Sequence, residues 1–150
     1  MTLEQAATRG TTPRRALNIT LDNGAYVDLR GSPAGRTPDG ALVQRLTDDG
    51  DLHAPHLIDI EILQALRGLV RGGKLSLDRA DDVRTDVADL TITRYGHEPL
   101  ADRVWALRDN LTAYDAVFVA LSEALEVPVI TCDARLAAAP GIAVELYPHP

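Results

Sequence analysis

Residues 112–133 read TAYDAVFVALSEALEVPVITCD, which is an apolar helix-forming stretch followed by a short run rich in β-branched residues. Thr112 is a favourable N-cap, and the apolar residues after it recur at helical spacing. Residues 128–132 predict a buried strand that ends at Asp133, because nearly all of their side chains are apolar. A helix that leads into a buried strand indicates an α/β fold.

The same alternation of helix and strand extends from this stretch along the rest of the chain. Residues 17–21 alternate apolar and polar side chains and predict a strand that ends at Asp22. Strands that alternate with helices indicate a mainly parallel central sheet flanked by helices on both faces, a three-layer α/β sandwich. The other predicted elements, in chain order, are short helices at 23–30 and 38–48, a strand at 52–54, a helix at 56–71, a helix that Ser76 caps and whose buried stripe runs from Leu77 to Leu90, a strand at 91–95, a helix at 100–110, a short helix at 134–138 and a strand at 144–147.

Length and composition bound the class of protein. The chain has 150 residues, of which 45% are hydrophobic, and this suits one domain with a real core. No apolar run reaches the roughly 18 residues that a membrane span needs, and the first fifteen residues contain no apolar signal segment. We therefore expect a cytoplasmic protein with a flexible N-terminal extension over residues 1–16 and a single domain over residues 17–150.

The net charge of −7 argues against a protein that coats nucleic acid through a broad basic face. It does not exclude an enzyme that acts on nucleic acid, because bound metal ions can attract phosphates to an acidic pocket. Lys74 is the only lysine, so a positive contact to substrate would come from arginine. Cys132 is the only cysteine, and it can form neither an internal disulfide nor a thiolate metal site.

Four acidic residues occupy positions where the predicted fold has its core or its strand ends. Asp22 and Asp133 each end a predicted strand, and ligands of open α/β folds bind at the carboxyl ends of the strands. Glu61 borders the apolar face of its helix, and Asp115 interrupts an apolar run in a first helical turn. Each has an ordinary alternative: N-capping for the two strand-end aspartates, a salt bridge for Glu61, and the helix dipole for Asp115.

The four acids are more informative together than singly. Clustered carboxylates repel one another unless a cation neutralises them, and hard oxygen ligands favour Mg²⁺ or Mn²⁺ over Zn²⁺. Such an ion activates a water and stabilises the charge that builds on a phosphoryl group, which is the chemistry of phosphodiester hydrolysis. The sequence therefore predicts metal ligation by Asp22, Glu61, Asp115 and Asp133.

Thr112 and Arg108, which lie near Asp115 in the chain, have two interpretations each. Thr112 is predicted to cap the helix of Asp115, which does not exclude a second role in orienting a metal-bound water. Arg108 is either a substrate-phosphate contact or a surface arginine paired with an aspartate beside it. For Trp105, the only tryptophan, we expect helix packing, and Asp59 is interpreted mainly as a surface residue.

The sequence resembles the PIN-domain ribonucleases and, within them, the VapC-type toxins of bacterial toxin–antitoxin pairs. The resemblance implies a parallel-sheet sandwich with the four acids as its site, Mg²⁺ or Mn²⁺ as cofactor and RNA as substrate. It also implies a homodimer that is inhibited by a small VapB-type antitoxin encoded beside it. The matching stretches are 21–29, 54–63, 110–116 and 131–133.

Two other functions are alternatives to a ribonuclease: a catalytically silent binding module and a phosphoryl-transfer domain. Many relatives carry Ser or Thr two residues after the first Asp, where Gly24 stands here, and this favours a catalytically silent PIN-like module that binds RNA or antitoxin. A phosphatase-like or receiver-like domain would need a phosphate-neutralising lysine near the acids, and Lys74 lies in a predicted loop. The leading hypothesis is a metal-dependent endoribonuclease that acts as a VapBC-type toxin.

Overall fold

The structure, a computed structural model, describes residues 14–17, 51–131, 134–138, 141 and 143–146. Two of the four predicted metal ligands, Asp22 and Asp133, lie outside these residues, as do Cys132, Gly24 and most of the predicted N-terminal extension. Glu61, Asp115 and the helices that carry them lie inside.

A five-stranded parallel sheet is the centre of the described fold. The strands are β1 (Arg14–Leu17), β2 (Asp51–Pro55), β3 (Ile92–Tyr95), β4 (Val129–Thr131) and β5 (Val144–Leu146). Their spatial order is β3-β2-β1-β4-β5, and every neighbouring pair is parallel. In the register, Ala16 of β1 pairs with His53 on one side and Val129 on the other. The predicted parallel sheet is confirmed.

Helices connect the described strands, as the alternation in the sequence predicts. They are α1 (Leu57–Arg71), α2 (Leu77–Ala88), α3 (Ala101–Ala106), which follows a short 3-10 turn (Glu98–Leu100), α4 (Ala113–Leu125) and α5 (Ala134–Ala137). Helix α4 is buried along most of its length and contributes to two apolar clusters. Phe118 and Leu121 belong to the larger cluster with α1 and α2, and Val119 packs with Val129 and Leu136. This arrangement is consistent with the predicted three-layer sandwich.

None of the helices that the structure describes has both the length and the apolar character that a membrane crossing requires.

Strand β1 begins earlier than predicted. It spans Arg14–Leu17, so the last three residues of the predicted extension over 1–16 belong to the sheet, and the predicted strand at 17–21 shares only Leu17 with it. The two arginines suggested solvated chain, but pairing with β2 and β4 is a backbone interaction that side-chain polarity does not forbid. The rest of both predictions lies outside the described residues.

Helix α3 is shorter than the predicted helix at 100–110. Its last turn tightens, because Leu107 N–H donates to the carbonyls of both Arg103 and Val104, at 3.2 Å each. The Leu107 carbonyl then accepts from Asn110 and Leu111, each at 3.0 Å, and this turn leads into α4. Leu77 also departs from its prediction: it is the first residue of α2 and 65% exposed, while Ala80 and Val83 face the core.

Candidate active site

Glu61 and Asp115 approach one another although they lie on different helices. Glu61 lies in the second turn of α1 and Asp115 in the first turn of α4, and both side chains are half-buried. Burial and, secondarily, the Asp115 charge raise the pKa of the Glu61 carboxyl, so the two carboxyl groups lie within range of each other's charge. The structure thus brings together the two predicted site acids that it describes.

The buried face of α1 determines where Glu61 lies. Ile58, Ile62, Leu66 and Leu69 are buried at the three- and four-residue spacing of one helix face. Glu61 follows Ile58 by three residues and directly precedes Ile62, so it borders that face as predicted. Ile60 and Leu63 lie beyond the border and are 63% and 47% exposed.

The Glu61 carboxyl is unfavourable in its charged form in this setting. Burial and, secondarily, the nearby Asp115 carboxylate raise its pKa from 4.5 to about 7. Among the residues that the structure describes, no arginine forms an ion pair with Glu61. The alternative interpretation as a salt-bridged surface acid therefore has no support in this part of the chain.

Asp115, by contrast, is held by Thr112. The Asp115 N–H donates to the Thr112 hydroxyl oxygen at 3.2 Å, so Thr112 caps α4 as predicted. The same hydroxyl donates to the Oδ2 atom of Asp115 at 2.7 Å. One side chain thus begins the helix and also fixes the orientation of the carboxylate in its first turn, where the helix dipole favours negative charge.

The donor set fits a hard divalent cation. The charges of these two half-buried carboxylates repel one another, and a cation bound between them would offset that repulsion. Oxygen ligands of this kind suit Mg²⁺ or Mn²⁺. Among the described residues, no three acidic, histidine or cysteine side chains are grouped so that they could hold a metal ion. The two other predicted ligands, Asp22 and Asp133, lie outside these residues. Their part in the site stays a prediction.

Comparison with known proteins assigns the fold. The PIN domain family matches residues 19–142, an interval that includes Asp22, Glu61, Asp115 and Asp133. The chain belongs to the PIN domain family.

Relatives of this PIN domain carry ribonuclease names. Ribonuclease VapC1 of Mycobacterium tuberculosis (strain H37Rv) is 39% identical over 127 residues, which cover 84% of this chain and 93% of that protein. Ribonuclease VapC12 of the same strain is 36% identical over 128 residues, or 85% and 96% of the two chains. Ribonuclease VapC9 is 38% identical over 110 residues, or 73% and 86%.

The PIN domain also contains an ion pair near Glu61 that the sequence analysis missed. Arg94 on β3 donates to both carboxylate oxygens of Asp59, with distances of 2.7 to 3.0 Å, and to the Ile92 carbonyl at 3.2 Å. Asp59 is therefore a half-buried partner that ties α1 to β3, two residues before Glu61. The available signal was Arg94 itself, a charged residue within a predicted strand.

The segment before α4 also differs from its prediction in the exposure of its tryptophan. Trp105 is 70% exposed rather than packed, because the six-residue helix α3 buries none of its residues fully. Arg108 lies over the Trp105 ring, 5.2 Å from its centroid, and its Nη2 atom is 3.8 Å from Asp109. Pairing of Arg108 with Asp109 is one of the two interpretations that the sequence left open.

Proposed function

We propose that this PIN domain is a metal-dependent endoribonuclease and acts as the toxin of a VapBC-type toxin–antitoxin pair. The proposal is carried by one observation: Glu61 and Asp115 come within range of each other's charge, and burial together with the Asp115 charge raises the pKa of the Glu61 carboxyl. Two carboxylates that repel one another destabilise the fold unless a ligand neutralises them. Acidic residues with strongly shifted pKa values are often found at functional sites. The relatives named Ribonuclease VapC1, VapC9 and VapC12 support RNA as the substrate.

Four carboxylates would hold the metal ion: Asp22, Glu61, Asp115 and Asp133. Bound there, Mg²⁺ or Mn²⁺ would activate a water for attack on a phosphodiester and offset the negative charge that develops on the phosphoryl group. Asp115 is oriented for ligation by the Thr112 hydroxyl, which fixes its Oδ2 atom. Glu61 must lose a proton to serve as a ligand, because its pKa of about 7 leaves much of it protonated near neutral pH.

The partners in this proposal are a second copy of the chain and a VapB-type antitoxin, in the cytoplasm. The net charge of −7 favours a basic inhibitory segment. Ile60 and Leu63, exposed on α1 beside Glu61, offer apolar contact to such a segment. The ribonuclease activity does not depend on the antitoxin, so the two parts of the proposal can be tested separately.

The test of the activity is cleavage of structured cellular RNA by purified protein freed of antitoxin, with Mg²⁺, with Mn²⁺ and with a chelator. The informative variant is Asp115→Asn, which preserves the shape of the side chain. Its matched control is Asp78→Asn, because Asp78 also lies in the first turn of a capped helix, α2, but is exposed there.

We expect cleavage that requires both the metal and Asp115 and that Asp78→Asn leaves unchanged. Cleavage that survives Asp115→Asn would show that the site is assigned wrongly. If the folded protein cuts no RNA at any metal concentration but still binds RNA or antitoxin, the proposal is replaced by the catalytically silent PIN-like module.

A further inference from the structure

The aromatic side chains that the structure describes are either fully buried or largely exposed. Tyr95 and Phe118 are each 1% exposed, whereas Trp105 and Tyr114 are 70% and 65% exposed. Both exposed rings shortly precede Asp115 in the chain. An indole ring left in water forgoes the stabilisation that burial would give, and its open face is available to a stacking ligand.

Arg108 prepares the Trp105 ring for such contact. The Arg108 Nη1 atom donates to the Trp105 carbonyl at 3.0 Å, and the guanidinium lies 5.2 Å from the ring centroid. With the guanidinium in place, most of the Trp105 surface is still open. The nearest carboxylate, that of Asp109, is 3.8 Å away and 77% exposed, so solvent screens it and leaves much of the Arg108 charge available.

The chain leads from this pair to the N-terminus of α4, which carries Asp115. Arg103 of α3 donates to Glu123 of α4 at 2.6 and 2.8 Å, which fixes the start of α3 two helical turns beyond Asp115. From there the chain returns to Thr112, the N-cap of α4. Trp105 and Arg108 lie on the connection between these two points, and Arg108 precedes the N-cap of α4 by four residues.

An open aromatic face beside a guanidinium is suited to an unpaired nucleotide. Bases that are not in a duplex stack on aromatic rings and on arginine, and the arginine also attracts the adjacent phosphate. A basic peptide would instead meet the Arg108 charge unfavourably, so RNA fits this surface better than a basic antitoxin segment does.

We infer that Trp105 and Arg108 form a stacking platform that holds an unpaired base of the RNA substrate. The inference rests on the proposed ribonuclease function and adds a substrate-binding pair outside the acidic site. It requires at least one unpaired base in the bound RNA, such as a base in a loop or a bulge.

Trp105 is the only tryptophan in the chain, so its fluorescence reports on this platform alone. The full-length Asp115→Asn protein is titrated at low salt with oligouridine and oligoadenosine of about eight nucleotides, and with a blunt duplex of similar length. We expect both single strands to quench the fluorescence and the duplex to have little effect. Gel electrophoresis checks that the RNA stays intact.

Binding of labelled oligonucleotides to variants separates stacking from charge. Trp105→Ala should weaken binding about tenfold, while Leu77→Ala, a change of similar exposure on α2, should not. Arg108→Ala should make the negative slope of log K against log salt shallower by about 0.7, whereas Arg108→Lys should keep the slope but weaken binding. Arg84→Ala, at a paired arginine that is exposed on α2, is the control for loss of one positive charge.

Four results would overturn the inference. If the wild-type protein cleaves RNA but the oligonucleotides leave Trp105 fluorescence and variant affinities unchanged, the platform is wrong and the proposed function stands. If RNA is neither bound nor cleaved, both fail. Quenching by the duplex as strong as by single strands would contradict the unpaired-base requirement. Quenching by an antitoxin peptide but not by RNA would show that the surface binds protein instead.

Discussion

Helices α1 and α4 each carry one acid of the pair, and they hold it differently. Asp115 lies in the first turn of α4, where the helix dipole favours its charge and the Thr112 hydroxyl donates to it at 2.7 Å. Glu61 lies one turn further into its own helix, beside a buried face and another carboxylate, and its pKa is raised to about 7. One acid is pre-oriented by the fold, while burial and a neighbouring charge disfavour the anionic form of the other.

The largest effect is expected for Glu61→Gln, which should lower RNA cleavage but raise the stability of the metal-free protein. Loss of a ligand carboxylate should lower metal-dependent cleavage at least about a hundredfold. In metal-free protein the raised pKa means that stability is fully present below pH 4.5 and is lost as pH rises through about 7. Removal of the carboxylate should therefore raise the free energy of unfolding at pH 8 by roughly 1 kcal/mol, a value discounted for partial exposure.

Chemical denaturation in chelator at pH 5 and pH 8 measures the stability part of that prediction. The gain should appear at pH 8 and be small at pH 5, and Glu98→Gln, at an exposed carboxylate, should give no gain at either pH. A Glu61→Gln protein that is less stable than wild type at pH 8 would show that the carboxylate is favourably placed without metal.

Metal affinity should depend on pH because Glu61 releases a proton when it becomes a ligand. Mn²⁺ binding by the wild-type protein should strengthen up to about tenfold per pH unit below about pH 7, and then level off. Calorimetry over this range measures both the affinity and the proton released. In the Glu61→Gln protein the affinity should be lower and the dependence near pH 7 should disappear; if it persists there, the titrating group is a different residue.

Local signals in the sequence were sufficient for α4 and its acid. Thr112, the apolar run and the interruption at Asp115 lie within a few residues of one another, and the cap and the burial of α4 are as predicted. The position of Glu61 at the border of a buried face was equally readable from helical spacing. What spacing cannot show is the partner of Asp59, because Arg94 is 35 residues away in the chain.

The errors have a similar origin. The start of β1 at Arg14 depends on backbone pairing with two other strands, and the exposure of Trp105 depends on how soon α3 ends. Both are decided by neighbours in space rather than in sequence. Asp22 and Asp133 lie outside the described residues, so their place in the site is still supported only by the sequence and the family match.

Helix α1 differs from α4 in a second way that can be tested, because a distant ion pair anchors its first turn. Arg94→Lys keeps the charge but loses the two-pronged contact with Asp59, and it should lower the free energy of unfolding by roughly 1–2 kcal/mol. Arg84→Lys, at an exposed pair with Asp81, should change stability much less. Thermal unfolding compares the two, and equal effects would mean that the Arg94 pair is no more than a surface contact.

The smallest expected effect separates the two roles of Thr112. Ser76 caps α2 by accepting from the Arg79 N–H at 3.2 Å, and Thr112 caps α4 in the same way but also donates to Asp115. Thr112→Val and Ser76→Ala should each cost about 1 kcal/mol of stability, because each removes one cap. Only Thr112→Val should also slow RNA cleavage several-fold, and Thr112→Ser should restore it, since the serine hydroxyl can both accept and donate. Equal cleavage by both cap variants under conditions where both are folded would mean that the hydroxyl only begins the helix and that Asp115 needs no second group to orient it.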